Sequence, residues 1–329
     1  MVMIKSVFGK TILDSRKDKT IEVHIKTNAG SFYASAPNGK SKGKKEARSY
    51  KKDIEGDIST LKKFSDYFSA ENIDKFDDLK RIEDILDGNV GADTFVAFEY
   101  AILKALAKEK KKEIWQLINP KARKLPRLLG NCVGGGKHSH SDRKPDFQEF
   151  LLVPKTKSVK KAFELNKKLR EKIKLELKIK DNKFKGEISD ENAWQTQLNE
   201  KQVLDIISDF GVSTGLDIAA SGFYKRKKYN YKNPLLKRTP EEQFVYVSNL
   251  IKNTNIFYIE DAFEEEDFES FAKLLKKFPD RLIVGDDLTV TNVKRFEKAL
   301  KKKSINAIIV KPNQIGPLTE VKRVCELAK

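Results

Sequence analysis

The sequence predicts an α/β protein in two parts, an N-terminal α+β module over residues 1–127 and a β/α barrel over residues 128–329. Three observations carry that prediction. The chain, at 329 residues, is longer than one average domain. Its first part reads as strands followed by helices, and its second as short apolar runs separated by amphipathic helices, the rhythm of β/α units around a largely parallel sheet or barrel.

From the N-terminus onward, Thr20 to Thr27 alternates polar and apolar residues, with Ile21, Val23 and Ile25 on one face. Asn28-Ala29-Gly30 breaks the run before Ser31 to Ala36, a hairpin signal. After a loop rich in Lys and Gly, helical spacing runs through Ser59 to Asp87 and Thr94 to Lys108. Pro120 and Pro126 lie in a basic stretch, and composition turns glycine-rich near Leu128, where the boundary is drawn. Six strands are expected beyond it: Leu128 to Val133, Phe150 to Pro154, Gly215 to Ala219, Ile256 to Ile259, Leu282 to Val284 and Ala307 to Val310. Thr239-Pro240-Glu241-Glu242 announces one intervening helix, with a capping Thr, a first-turn Pro and the Glu of a capping box. A second follows Asp267, with Phe268, Phe271, Leu274, Leu275 and Phe278 on one face.

Composition narrows the function classes. No stretch approaches the ~20 apolar residues of a membrane span, and Met1 to Lys10 lacks the apolar run of a leader, so the chain reads as soluble and cytoplasmic with no membrane partner. Cys132 and Cys325 lie far apart, without the neighbours of a zinc site or a disulfide framework. The net charge of +18 would attract polyanions. Its lysines are spread along the whole length without interleaved aromatics, which favours a solvated surface over a nucleic-acid interface. An anionic small substrate would gain from the same field.

Chemistry concentrates where strands end, the place a β/α barrel puts its catalytic groups. Asp217 follows Gly215-Leu216, Glu260 and Asp261 follow Phe257-Tyr258-Ile259, Asp286 and Asp287 follow Ile283-Val284-Gly285, and Lys311 follows Ile308-Ile309-Val310. Successive members are about one β/α unit apart and would line one barrel mouth. Any one acid alone reads better as a helix cap or a partner for surface lysines. Several in register read better as a metal site, because converging carboxylates repel unless a cation joins them, and oxygen ligation suits Mg²⁺. A lysine in that mouth would feel the cation, which favours its neutral amine and makes Lys311 a candidate general base.

Ile259-Glu260-Asp261-Ala262-Phe263, Gly285-Asp286-Asp287-Leu288-Thr289-Val290-Thr291-Asn292 and Lys311-Pro312-Asn313-Gln314-Ile315-Gly316 closely resemble the signature segments of the enolase family. Leu13-Asp14-Ser15-Arg16, Pro37 to Glu46, Gln148-Glu149-Phe150, Asp190-Glu191 and Leu216-Asp217 extend the resemblance over nearly the whole chain. It implies a TIM-like barrel behind the first module. It also implies a homodimeric, Mg²⁺-dependent lyase of glycolysis and gluconeogenesis, interconverting 2-phosphoglycerate with phosphoenolpyruvate and water. In that assignment Asp217, Glu260 and Asp286 bind the tightly held Mg²⁺, and Lys311 removes the proton beside the substrate carboxylate. Glu191, with Glu149 close by, protonates the departing hydroxyl, His138 contacts substrate, and Ser41 helps ligate a second Mg²⁺. His140 competes for the histidine role, since the interval from His138 to Glu149 is longer than the family's usual one.

Departures from the family pattern are local. Lys17-Asp18-Lys19 stands where Gly-Asn-Pro is usual, Asn192-Ala193 stands for a double glycine, and Ser41 is flanked by Lys40 and Lys42. Two further strands, bringing a His, an Arg and a Ser for phosphate and a later Lys, would be expected after Lys329, so the barrel reads as incomplete at its C-terminus. The alternative function is a non-catalytic, truncated enolase paralogue that binds a polyanion or a protein partner.

Overall fold

A computed structural model describes residues 1–39, 42–69 and 71–329. The chain divides into two units, one made of Met1–Lys124, Val290–Phe296 and Val310–Lys329, the other of Leu125–Thr289 and Glu297–Ile309.

In the first unit, strands β1 (Val2–Leu13), β2 (Lys19–Thr27), β3 (Gly30–Ser35) and β4 (Asn72–Ile73) form an antiparallel sheet in the order β3-β2-β1-β4. Period-two alternation buries Ile21, Val23 and Ile25 together with Val2, Ile4 and Val7 of β1. The helix Ala92–Lys110 lies against β2 and β3 and is apolar almost all round, as a central helix must be. Asp57, itself buried, organises the start of that helix by accepting from Gly91 N (2.8 Å), Thr94 Oγ1 (2.7 Å) and Lys51 N (3.0 Å). The helix Leu318–Leu327 is capped by carboxylates: Glu99 Oε2 accepts from Leu318 N at 2.7 Å and Glu83 Oε1 from Thr319 N at 3.0 Å.

The hairpin expected at Thr20–Ala36 is β2–β3, and the second expected helix runs two residues longer at each end. The segment Ser59–Asp87 is not one helix. It breaks into Ile54–Lys63, Ser65–Phe68 and Leu79–Leu86, because Asn72 and Ile73 pair with Met3 and Val2 at the edge of β1 and Asp78 caps the turn after them.

The second unit is built on seven strands: β5 (Gly130–Gly134), β6 (Glu149–Val153), β7 (Trp194–Gln195), β8 (Ser213–Asp217), and, after the inserted strands β9 (Tyr224–Lys225), β10 (Lys228–Lys232) and β11 (Leu235–Arg238), β12 (Ile256–Glu260), β13 (Leu282–Gly285) and β14 (Ala307–Ile308). Its order is β14-β13-β12-β8-β6-β5-β7. Strands β8, β12, β13 and β14 run parallel, whereas β6 is antiparallel to both β5 and β8. All six strands expected from the apolar runs are present; β7 is an addition.

The reversal of β6 matters for the site. Its first residue, Glu149, pairs with Asp217, the last residue of β8, and Asp217 pairs with Glu260, the last residue of β12. One row of carboxylates therefore crosses three neighbouring strands. The row beneath it reads Leu151, Gly215, Tyr258 and Leu282, and Leu151, Tyr258 and Val284 pack together there. The inserted strands β9, β10 and β11 form a separate antiparallel sheet that buries Tyr229 and Tyr231, with the Arg238 guanidinium 4.1 Å from the Tyr231 ring centre and 3.7 Å from that of Tyr246. Among the described residues no helix is long and apolar enough to cross a membrane.

Candidate active site

The loop between β5 and β6 carries the histidines. A Cβ on Gly135 would lie 2.3 Å from Phe147 O and 2.6 Å from Pro145 O, so only glycine lets the loop fold back this tightly. His138 N and Ser139 N then donate to Gly135 O, turning the His138 side chain into the interior. His138 Nδ1 lies 3.2 Å from Glu149 Oε1 and 3.0 Å from Glu191 Oε2. His140 instead keeps a side chain 68% exposed, 3.3 Å from Asp190. The structure thus brings His138, and not His140, together with Glu149 and Glu191.

Burial alone would depress the His138 pKa, but the two carboxylates outweigh it and hold the imidazolium up to about 9. Burial, followed by the opposing effects of His138 and Glu191, leaves the Glu149 carboxyl raised above its ordinary range. Asn131 Nδ2 donates to Glu191 Oε2 at 3.3 Å. One imidazolium beside two carboxylates leaves room for one exchangeable proton.

Among the described residues, a second group that could hold a metal ion comprises Glu260, Asp261 and Asp286, all buried, with potential ligand oxygens within 4.8 Å of one another. Asp261 Oδ1 and Oδ2 accept from the amides of Asp286 (3.1 Å) and Asp287 (2.7 Å), which fixes the turn after β13. Burial first, then Asp287, Asp286 and Glu260, push its carboxyl well above the usual range. Asp217, in register with Glu260, is held by Gln148 Nε2 (3.0 Å, to Oδ2) and Ala219 N (2.9 Å, to Oδ1). The Tyr258 hydroxyl donates to Glu260 Oε2. Burial, then Glu260, Asp217 and Asp286, raise the Tyr258 pKa, so that phenol stays protonated.

Sequence reasoning selected Asp217, Glu260 and Asp286; the structure groups Glu260 and Asp286 with Asp261, and sets Asp217 on the adjoining strand end. Asp261 was picked out as a strand-end acid but not assigned to the metal, and Tyr258 only as a strand residue, since nothing in a linear pattern reports which amide or carboxylate a side chain meets. Lys311 belongs to the first unit. Its amide donates to Thr291 Oγ1 at 2.9 Å, and Thr291 donates to Gln314 Oε1 at 2.8 Å. Val290 and Thr291 both adopt left-handed backbone conformations, φ 44° and 53°, which cost β-branched residues roughly 1–3 kcal/mol each. Ser41 lies outside the described residues.

A buried, all-carboxylate group is costly unless its members are protonated or a cation joins them. Its donors are hard oxygens, the set that suits Mg²⁺ and offers nothing to a thiolate- or imidazole-seeking metal.

An α+β module followed by a β/α sheet with carboxylates gathered at its strand ends defines an acid-lined β/α-barrel enzyme. Comparison with known families agrees: the profile described as "Enolase, N-terminal domain" matches residues 4–118, and "Enolase, C-terminal TIM barrel domain" matches residues 122–329. The chain belongs to the enolase family of carbon–oxygen lyases. It is 35% identical to an enolase of Methanosphaera stadtmanae, over 99% of this chain and 84% of that one. An enolase of Methanocorpusculum labreanum is also 35% identical (100% and 86% covered), and one of Pyrobaculum aerophilum 33% (100% and 84%).

Proposed function

We propose that the chain interconverts 2-phosphoglycerate with phosphoenolpyruvate and water, using Mg²⁺, as a homodimer acting in glycolysis and gluconeogenesis in the cytoplasm. The observation that most supports this reading is the buried group of Glu260, Asp261 and Asp286, whose repulsion a hard divalent cation would relieve. Bound Mg²⁺, held by Asp217, Glu260 and Asp286 with Ser41 toward a second ion, would supply positive charge where negative charge grows on the substrate carboxylate, the strategy general to enolase-superfamily sites.

Lys311 takes the proton from the carbon beside the carboxylate. A proton on carbon there is very weakly acidic, so the base works only where the developing charge is stabilised. Glu191 gives a proton to the hydroxyl that leaves the neighbouring carbon. Glu149, its carboxyl raised by burial, supports Glu191 by keeping a proton within the pair. His138 offsets one of the two carboxylate charges and presents its ring to the substrate.

The direct test follows phosphoenolpyruvate formation by its ultraviolet absorbance, with Mg²⁺ and with chelator. Turnover that chelator abolishes is expected. Folded protein that yields no product, but binds nucleic acid with a steep salt dependence, would overturn the reading in favour of a polyanion-binding role.

A further inference from the structure

Three strand-end carboxylates of the second unit, Asp217, Asp261 and Glu260, are each held by a specific donor. Asp217 has Gln148 and Ala219, and Asp261 has two backbone amides. For Glu260 the donor shown is a phenol from the row beneath it. Tyr258 and Glu260 are two residues apart on β12 and so share a face. The Tyr258 ring is buried against Leu151 and Val284.

What makes room for the ring is Gly215, its register partner on β8. A Cβ at Gly215 would sit 3.3 Å from Tyr258 Cδ1 and 3.0 Å from Leu151 Cβ. With its ring wedged in that gap, Tyr258 delivers its hydroxyl to Glu260 Oε2. A smaller residue would leave a void, and Phe would fill the volume without offering a donor.

We propose that Tyr258 is a positioning residue for metal binding, its hydroxyl setting the orientation in which Glu260 presents its carboxylate to the cation. The inference rests on the reading of Glu260 as a metal ligand. Donors to a ligating side chain fix its geometry before the ion arrives, and losing one typically weakens metal affinity about 10–100-fold. Tyr258 does not touch the reacting atoms in this account; it acts through Glu260.

The test is Mn²⁺ affinity, read from the electron paramagnetic resonance of free and bound Mn²⁺ on the full chain without substrate. Tyr258→Phe keeps the ring and removes the oxygen. Tyr246→Phe is the matched control, since its hydroxyl donates to Glu200 at 2.8 Å elsewhere in the same unit. The expected result is a dissociation constant raised about 10–100-fold by Y258F and unchanged by Y246F, with circular dichroism confirming that both are folded. Unchanged affinity in Y258F, or an equal loss in Y246F, would overturn the positioning role while leaving the metal reading intact. If the unaltered chain binds no Mn²⁺, the metal reading falls and takes this inference with it.

Discussion

His138, Glu149 and Glu191 form one acidic group of the second unit, and Glu260, Asp261 and Asp286 form another. The first contains its own cation. An imidazolium held up to about 9 sits between two carboxylates, so the group is nearly balanced and suited to storing or releasing a proton. The second consists of carboxylates alone, and Asp261 is pushed up by burial and by its acidic neighbours. On the proposed function its compensating charge is a cation from outside. The same residue types thus serve two ends, and what separates them is whether the compensating charge is built into the fold or borrowed from solution.

The largest expected effect tests the proton side of that contrast. Lys311→Ala should lower turnover on the order of 10⁴-fold, the upper end for loss of a general base, with Mn²⁺ affinity unchanged. Full activity in that variant would sink the base assignment. Next, Glu260→Gln should cost about 10³-fold in turnover, since a metal's several kcal/mol of charge stabilisation counts at ~1.4 kcal/mol per decade. It should also abolish stabilisation by Mg²⁺, which calorimetry of the variant with and without the ion would reveal.

The pH dependence should separate the two groups by the window in which each loses stability. The folded pKa of His138 is raised from 6.5 to about 9, so its contribution is fully present below pH 6.5 and lost as pH rises through about 9. That is about 3 kcal/mol of unfolding free energy, seen as a slope in denaturant titrations that His138→Gln should flatten. Asp261, with its carboxyl also raised, acts with the same sign from a lower pH: its burden is absent while it is protonated and grows as pH climbs above the ordinary carboxylate range, so stability falls there too. Last, Mg²⁺ at a hundred times its dissociation constant should add about 2.7 kcal/mol of stability. An unaltered melting temperature would place the compensating charge elsewhere.

The barrel strands were legible because apolar runs bounded by acids and glycines report burial directly. The β9–β11 insertion was not, although Tyr229 and Tyr231 alternate with Lys228, Asn230 and Lys232. Its lysines mask a period-two pattern whose buried face is two tyrosines wide. Strand β1 escaped for a related reason: polar residues at Lys5, Ser6, Lys10 and Thr11 and a register shift between Ile4 and Ser6 blur its alternation. The carboxylates at strand ends could be found from spacing. The preference for His138 over His140 rested in the sequence on its directly following the Gly134-Gly135-Gly136 turn, and it is the turn at Gly135 that points the His138 side chain inward.

The reversal of β6 also governs how this site can change over time. Because β6 enters the sheet at the end where β5 leaves it, Gly134 pairs with Glu149 and the whole of the intervening loop lies at the chemical end of the hairpin. Lengthening such a loop is cheap in entropy, about 0.6 kcal/mol for each doubling, and leaves the strand pairing untouched. The spacing between His138 and Glu149 is therefore free to drift among relatives or in a designed library, whereas inserting one residue between Glu149 and Leu151 within β6 would put those two side chains on opposite faces.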